Sequence, residues 1–424
     1  MNQLIYGVVA TLVCCQLAAA EKPNILLILA DDVGSEVLEC YGGESYPTPN
    51  IDRLASQGLR FTHAFTMPAC HATRTTLLSG QYWVRMGRPQ WGTYPSAAEN
   101  RTLAHVLQRA GYATAVAGKW QLALLGDDPD QPHRMGFDQY ALFGWHEGPR
   151  YYQPHIRQNG ALREDVADRY GPDVYCDFLI DFMTAERSQP FFAFYSMALC
   201  HDVTDDLDQP VPVGPNGRYQ TYAEMVAAMD DRVGRLVDTI DDAAWSRNTL
   251  VLFFTDNGSP ARTIVTATGN DLIRAPVVSQ RNGVEIPGGK TQLTDSGTRV
   301  PLIVRWPGQV ARGTTTDQLV DVSDMLPTLA EIAGGDLAKH VTLDGQSFAP
   351  LLLGKQSSPR EWVYAEHKLA GCVRNHRWKL YRDGRLFDMA QDPQESTPLV
   401  GPQLAAHAAA ERDKLQEVLG SLRP

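Results

Sequence analysis

The chain has no excess of basic charge, no paired-cysteine motif, no internal repeat and, beyond its first residues, no apolar run long enough to cross a bilayer. Each shortage excludes something. Lys and Arg number 38 against 49 Asp and Glu, a formal net charge of -11, so the basic face that nonspecific nucleic-acid binding needs is missing. That balance leaves room for an anionic ligand, because a few cations focused in a cleft outweigh the overall field. No two cysteines stand in C-x-x-C spacing, which argues against zinc-ribbon and thioredoxin chemistry. Residues 4–17 are almost wholly apolar yet too short to span a membrane, and Ala18-Ala19-Ala20 follows. Residues 1–20 therefore read as a secretory leader, although no Lys or Arg precedes the apolar run. The expectation is an exported protein, periplasmic or secreted, without a membrane span. Cleavage after Ala20 leaves Cys40, Cys70, Cys176, Cys200 and Cys372. That odd number leaves at least one unpaired in an oxidising compartment.

What is present is ordinary globular material, 43% hydrophobic and 21% charged, enough apolar residue to build a core rather than remain disordered. The run Pro23–Ala30, ended by Asp31-Asp32, fits a strand buried on both faces. Further strands are expected at Ala113–Ala117, Phe191–Leu199, Thr249–Thr255 and Val300–Trp306. Helices are expected over Pro49–Gln57 with Thr48 as N-cap, Arg101–Ala110, Tyr222–Ile240 and Asp324–Ala333. This alternation predicts an α/β fold on a large, mainly parallel sheet flanked by helices. After about residue 345 the texture changes to short strands at Glu361–His367, Gly371–Asn375, Arg377–Arg382 and Arg385–Met389, then a helix at Gln403–Leu419. The chain is thus expected to divide into a leader (1–20), a catalytic domain (21–344) and a smaller C-terminal α+β subdomain (345–424) with a short antiparallel sheet.

Polar residues collect where strands end. Asp31 and Asp32, Lys119, His201, and Asp256 with Asn257 all follow C-terminal ends of expected strands, the edge at which open α/β sheets bind ligands. Asp31, Asp32, Asp256 and Asn257 form an oxygen-only set. Three clustered carboxylates either rise in pKa or share a cation, and hard oxygen ligands favour Ca²⁺ ahead of Mg²⁺. A second feature is Met67-Pro68-Ala69-Cys70-His71-Ala72-Thr73-Arg74, which leads into an apolar helical run ended by Gly80. Cys70 would stand at the helix start, where unpaired N–H groups and the dipole favour an anion, with Arg74 one turn on.

Taken in order, these motifs resemble the formylglycine-dependent type I sulfatases of the alkaline-phosphatase-like superfamily. The matching pieces include Asp31-Asp32, Thr48-Pro49-Asn50-Ile51-Asp52-Arg53-Leu54, Cys70-His71-Ala72-Thr73-Arg74 and Gly118-Lys119-Trp120. Further along stand His201, Asp256-Asn257-Gly258, Lys290 and Gly297-Thr298-Arg299-Val300-Pro301. The resemblance implies that a formylglycine-generating or other sulfatase-modifying enzyme oxidises Cys70, and that the hydrated aldehyde is the nucleophile. It implies a Ca²⁺ held by Asp31, Asp32, Asp256 and Asn257. Arg74 would steady the nucleophile, Lys119 and Lys290 would hold sulfate oxygens, and His201 would protonate the leaving alcohol.

Three departures from the family pattern stand out. Ala72 and Thr73 replace the usual proline and serine after the cysteine. Gln121 stands where the family has a histidine, usually assigned as the base that breaks down the sulfated intermediate. Glutamine takes no proton near neutrality, which leaves His71 or water as the acceptor. Asp202-Val203, not proline, follows His201. For the substrate, Trp145, His146 and Arg150 suit a sugar ring and a second anionic group, and His367 and Arg374 are candidates to overhang the cleft. The expected activity is release of sulfate from a sulfated carbohydrate. The alternatives are a phosphoesterase of the same superfamily and a sulfatase-like binder of sulfated glycans.

Overall fold

A computed structural model describes residues 21–203, 210–268, 271–337, 342–356, 358–399 and 406–422; the leader read at 1–20 lies outside the described residues. Seven strands position everything that follows. They are β1 (Asn24–Ala30), β2 (Leu59–Phe65), β3 (Ala113–Lys119), β4 (Gln139–Phe143), β5 (Phe191–Ser196), β6 (Thr249–Thr255) and β7 (Arg299–Arg305). Within an eleven-stranded sheet they lie in the order β2-β7-β6-β1-β5-β3-β4. The five from β6 to β4 are parallel. β7 runs antiparallel to both β6 and β2, so the sheet is mixed but mainly parallel.

The continuous apolar run of β1 is explained by what covers it. Leu26, Ile28 and Ala30 enter one core cluster, while Ile25, Leu27 and Leu29 enter another on the opposite face. Side chains alternate across a strand, so a strand covered twice must be apolar at every position. β2 and β4 escaped the sequence reading, as did the helix Gly171–Thr184. In β2 the sequence Leu-Arg-Phe-Thr-His-Ala-Phe carries half-buried polar residues at Arg60, Thr62 and His63, which breaks the apolar run that marks the inner strands. Thr48 precedes its helix as expected, but its hydroxyl does not cap it. That oxygen accepts from Glu39 N at 3.2 Å and donates to Asp52 at 3.2 Å instead.

The C-terminal region forms a four-stranded antiparallel sheet of β8 (Val363–His367), β9 (Ala370–Arg374), β10 (Trp378–Tyr381) and β11 (Leu386–Asp388). The helix Ala406–Ser421 lies against it. The cluster joining them includes Tyr364, Trp378, Leu415 and Leu419 and also takes in Met67 and Ala72. The second sheet therefore bears directly on the turn and helix that carry Cys70.

Candidate active site

Helix Cys70–Ser79 begins at the cysteine itself, with Ala69 extended as its N-cap, and ends at Gly80 in the left-handed region at φ 66°. All ten of its residues are buried, since the second sheet covers one side and the strand ends the other. Thr73 holds the helix start in place. Its hydroxyl lies 3.0 Å from Met67 O and 2.7 Å from Asp256 O, tying the turn that carries Cys70 to the end of β6.

At the end of β1 the chain turns sharply, with Asp32 at φ 59°. Asp31 N donates to Leu199 O at 2.8 Å and Asp256 N to Ala30 O at 3.0 Å. These bonds extend the sheet ladder one residue past the strands and hold both carboxylates at one place. Asp32 N reaches Asp256 Oδ1 at 3.2 Å. Asn257 Nδ2 donates to Asp32 Oδ1 at 2.7 Å. Gly258 follows because a side chain there would collide with the Ser296 carbonyl oxygen. Oxygen atoms of Asp31 and Asp256 and the sulfur of Cys70 all lie within 4.8 Å of one another.

The cations are interleaved with these carboxylates. Arg74 Nη2 lies 2.8 Å from Asp256 Oδ2 and 3.2 Å from Asp31 Oδ2. Lys119, the last residue of β3, pairs with Asp31, and Lys290 Nζ lies 2.6 Å from Asp32 Oδ2. Burial favours the neutral form of Asp31, but Lys119, His201 and Arg74 outweigh it and hold the carboxyl well below its usual range. Asp32 goes the other way, pushed up to about 7 by burial, with the Asp31 and Asp256 charges adding to it. Burial likewise raises Asp256 and the Cys70 thiol. Cys70 as a thiol is thus a poor nucleophile here.

Three carboxylates face three cations, so the cluster is near neutral as it stands. Yet it is not saturated: Asp31 Oδ1 and Asn257 Oδ1 are buried without a hydrogen-bond partner. Orphaned buried acceptors are costly, and two beside the Asp32 and Asp256 carboxylates fit a hard cation. Such an ion would carry the cluster to a net charge of about +2 and make it a receptor for an anion.

His201 closes one side. Its Nδ1 is 2.9 Å from Asp202 O, and its Nε2 is 4.0 Å from Asp32 Oδ2. Burial, then Lys290 and Lys119, push its pKa well below the ordinary value. Gln121 is buried with both amide atoms unpartnered, and His71 Nδ1 is unpartnered too. His71 Nε2 contacts Thr93 O at 3.0 Å, and burial pushes this imidazole down to about 4.

Two contributors were not expected. Ser196, the last residue of β5, accepts from Arg74 and donates to the backbone Lys119 O at 2.7 Å, tying the Arg74 guanidinium to the end of β3. Ser196 falls inside the strand expected at Phe191–Leu199, which in fact ends at Ser196, so the strand-end rule passed over it. Trp91 had no sequence signal. It is 44% exposed, stacks on His71 at 5.7 Å between ring centroids and meets Trp145 at 4.8 Å, which in turn meets His146 at 4.4 Å. The aromatic row therefore starts beside Cys70.

The two C-terminal candidates separate. His367 lines a cavity of about 540 Å³ together with Thr291, the residue after Lys290. Arg374 does not join the cluster about Cys70. It is 4% exposed, pairs with Asp295 at 2.5 Å and lies over the Phe65 ring. A lone arginine in a short strand gives no sign of a partner 79 positions away.

Comparison with known proteins gives the family of the chain. The Sulfatase family profile matches residues 23–335, and the profile of the N-sulphoglucosamine sulphohydrolase C-terminal region matches residues 289–421. Arylsulfatase A of Bos taurus is 33% identical over 378 residues, covering 82% of this chain and 71% of its own. N-acetylgalactosamine-6-sulfatase of Homo sapiens is 28% identical over 419 residues, covering 88% and 76%. The crystal structure of Ps i-CgsB superposes with a TM-score of 0.75 at 25% identity, over 95% of this chain and 92% of that one. The chain belongs to the sulfatase family, and its activity is that of a sulfuric ester hydrolase. The family match favours the sulfate ester over the phosphate ester alternative. Among the described residues no helix is long and apolar enough to cross a membrane.

Proposed function

We propose that this sulfatase releases sulfate from a sulfated carbohydrate, using Cys70 oxidised to formylglycine and a Ca²⁺ held by Asp31, Asp32, Asp256 and Asn257. One observation carries the reading: the Cys70 sulfur lies at a helix start within 4.8 Å of carboxylate oxygens from two different strand ends. When present, formylglycine supplies a hydrated-aldehyde nucleophile in place of a suppressed thiol, and Ca²⁺ supplies positive charge at the reacting group. The chain's own residues do the rest. Lys119 and Lys290 hold sulfate oxygens, where charge-assisted bonds offset their desolvation. Arg74, fixed by Asp256, Asp31 and Ser196, holds the nucleophile end of the site in register. The anionic ester, once bound, offsets the Lys290 and Lys119 charges that add to burial in depressing His201, so that its imidazolium carries the proton to the departing alcohol from Nε2, with Nδ1 oriented by Asp202. Gln121 orients by hydrogen bonding. A carbohydrate substrate is favoured by the aromatic row Trp91–Trp145, which suits a sugar face, and by a relative named for a sulfated sugar. Modification requires a formylglycine-generating partner and export past it, for which residues 1–20 are the proposed leader.

The test is mass spectrometry of the peptide spanning Cys70 after coexpression with the modifying enzyme, followed by sulfate release from a panel of sulfated sugars. The expected result is loss of the thiol mass in favour of the aldehyde, with turnover. An unmodified Cys70 in active protein sinks the mechanism. A modified protein inert on every sugar but active on an aryl sulfate sinks the substrate class.

A further inference from the structure

Arg150 is the cation that the mechanism above leaves unused, and it is buried, at 5% exposure. The other buried arginines near it in kind have carboxylates: Arg74 has Asp31 and Asp256, and Arg360 has Asp324. Among the described residues no carboxylate lies within ion-pair distance of Arg150, and its Nε has no partner. Its guanidinium rests over the Phe143 ring at 5.1 Å, and its Nη1 is 3.5 Å from His201 Nδ1. That nitrogen is a poor acceptor. It lies 2.9 Å from Asp202 O and 3.3 Å from Asp202 Oδ1, and one imidazole nitrogen cannot donate to Asp202 and accept from Arg150 together. The result is a buried guanidinium with no ion-pair partner, its Nε unpartnered and the Asp202 carboxylate acting on it only from a distance, directly behind the residue that serves the leaving group. A buried charge without a partner is strongly unfavourable, and a planar guanidinium is shaped to take an oxyanion by two bonds.

We infer that Arg150 is a specificity-determining residue that binds a second oxyanion on the sugar, a sulfate or a carboxylate, on the leaving-group side of the scissile ester. This rests on the carbohydrate reading given above and narrows it to sugars carrying two anionic groups. Lys119 and Lys290 are committed to the carboxylates and the scissile sulfate, which leaves Arg150 for the second anion. Phe143 covers one face of the guanidinium, and burial there strengthens its pairing with an incoming oxyanion.

The test compares wild type with Arg150→Gln, Arg150→Lys and Arg150→Met on three related sugars. These are N-acetylgalactosamine 6-sulfate, its 4,6-disulfate, and the hexuronate-linked disaccharide of the 6-sulfate. The Gln variant is expected to lose about a hundredfold in kcat/KM on whichever dianionic sugar is preferred, mostly through KM. Its loss on the monosulfate is at least about tenfold smaller, and Lys restores only part because it lacks the fork. The disulfate and uronate arms tell which oxyanion is taken. Equal losses on all three sugars, or none, overturn the inference. A second readout needs no turnover: removing an uncompensated buried cation raises Tm in Arg150→Met, whereas a fall of more than about 2 °C marks a structural ion pair and overturns it. Should wild type cleave an aryl sulfate but no sugar, the carbohydrate reading fails on its own, and the Tm of Arg150→Met still decides whether the cation is uncompensated.

Discussion

Two buried ionic clusters in this molecule are built from the same side chains and end in opposite states. In one, Arg360 uses its whole fork. Its nitrogens reach Asp324 at 2.6 and 3.0 Å, Tyr82 OH at 3.1 Å, and the carbonyls of Trp362 and Asp344 at 3.2 and 2.7 Å. Asp324 in turn accepts from Asp321 N at 2.8 Å and Gln346 N at 2.6 Å. In the other, around Cys70, carboxylates and cations also interleave, yet Asp31 Oδ1, Asn257 Oδ1, Gln121 and His71 Nδ1 have no partner. A satisfied cluster is a clasp, here joining the helix region after β7 to the start of the second sheet. An unsatisfied one stores the capacity to bind. The distinction between structure and function lies in the orphaned atoms, not in the number of charges.

The largest test of this contrast is Cys70→Ala. If the unsatisfied cluster is the catalytic one, sulfate release falls by more than about a thousandfold while Tm moves little. Retained turnover would remove Cys70 from the chemistry. The reverse pattern belongs to the clasp. Arg360→Met is expected to cost about 3–5 kcal/mol by stranding Asp324, read as a lower midpoint in denaturant, while kcat of the protein that remains folded is preserved. A stable Arg360→Met variant would show that satisfied burial does not distinguish the two clusters.

Metal comes next. With Ca²⁺ at about a hundred times its Kd, the native state gains about 2.7 kcal/mol, so Tm rises on addition and falls with chelator. Asp256→Asn should abolish most of that response without imitating it in the clasp. A Tm indifferent to Ca²⁺ in wild type sinks the cation site.

A smaller effect concerns Arg374, the residue placed in the cleft by sequence and in an ion pair by structure. Asp295 would be raised by burial, but Arg374, Lys379 and Arg299 together hold it well below the usual range. A depressed carboxylate stabilises the fold fully above its unfolded value of about 3.9 and loses that contribution progressively as pH falls from there through the depressed folded value. Arg374→Met should therefore destabilise by about 1–2 kcal/mol at pH 7, since two cations remain, and its deficit should shrink below about pH 4. A deficit independent of pH would point to lost packing on Phe65 instead.

How much of this was legible beforehand follows from which forces act locally. The strand ends were readable because an apolar run buried on two faces must stop where a polar residue begins, so Asp31, Lys119 and Asp256 marked themselves. Thr249–Thr255 was placed to the residue. Lys290 carried no local signal, and only the family resemblance singled it out; its pairing with Asp32 spans 258 positions. β2 was lost because strands near a sheet edge keep polar residues. Arg374 was misplaced for the same reason that Lys290 was hard: partner choice is tertiary.

Trp91 gives the finest division between binding and positioning. It is exposed, it has no charge, and it stands on His71, which is buried with an orphaned nitrogen. If the Trp91–Trp145 row takes a sugar face, Trp91→Ala raises KM for a sulfated saccharide about tenfold, the worth of roughly one good aromatic contact, and leaves kcat within about twofold. If its part is to hold His71 in place, the same substitution lowers kcat at constant KM, and His71→Ala shows the same loss without adding to it in the double variant. The first outcome assigns the row to the substrate and extends the unsatisfied cluster outward to the surface. The second confines that cluster to the strand ends and makes the tryptophan a wall of the nucleophile's pocket.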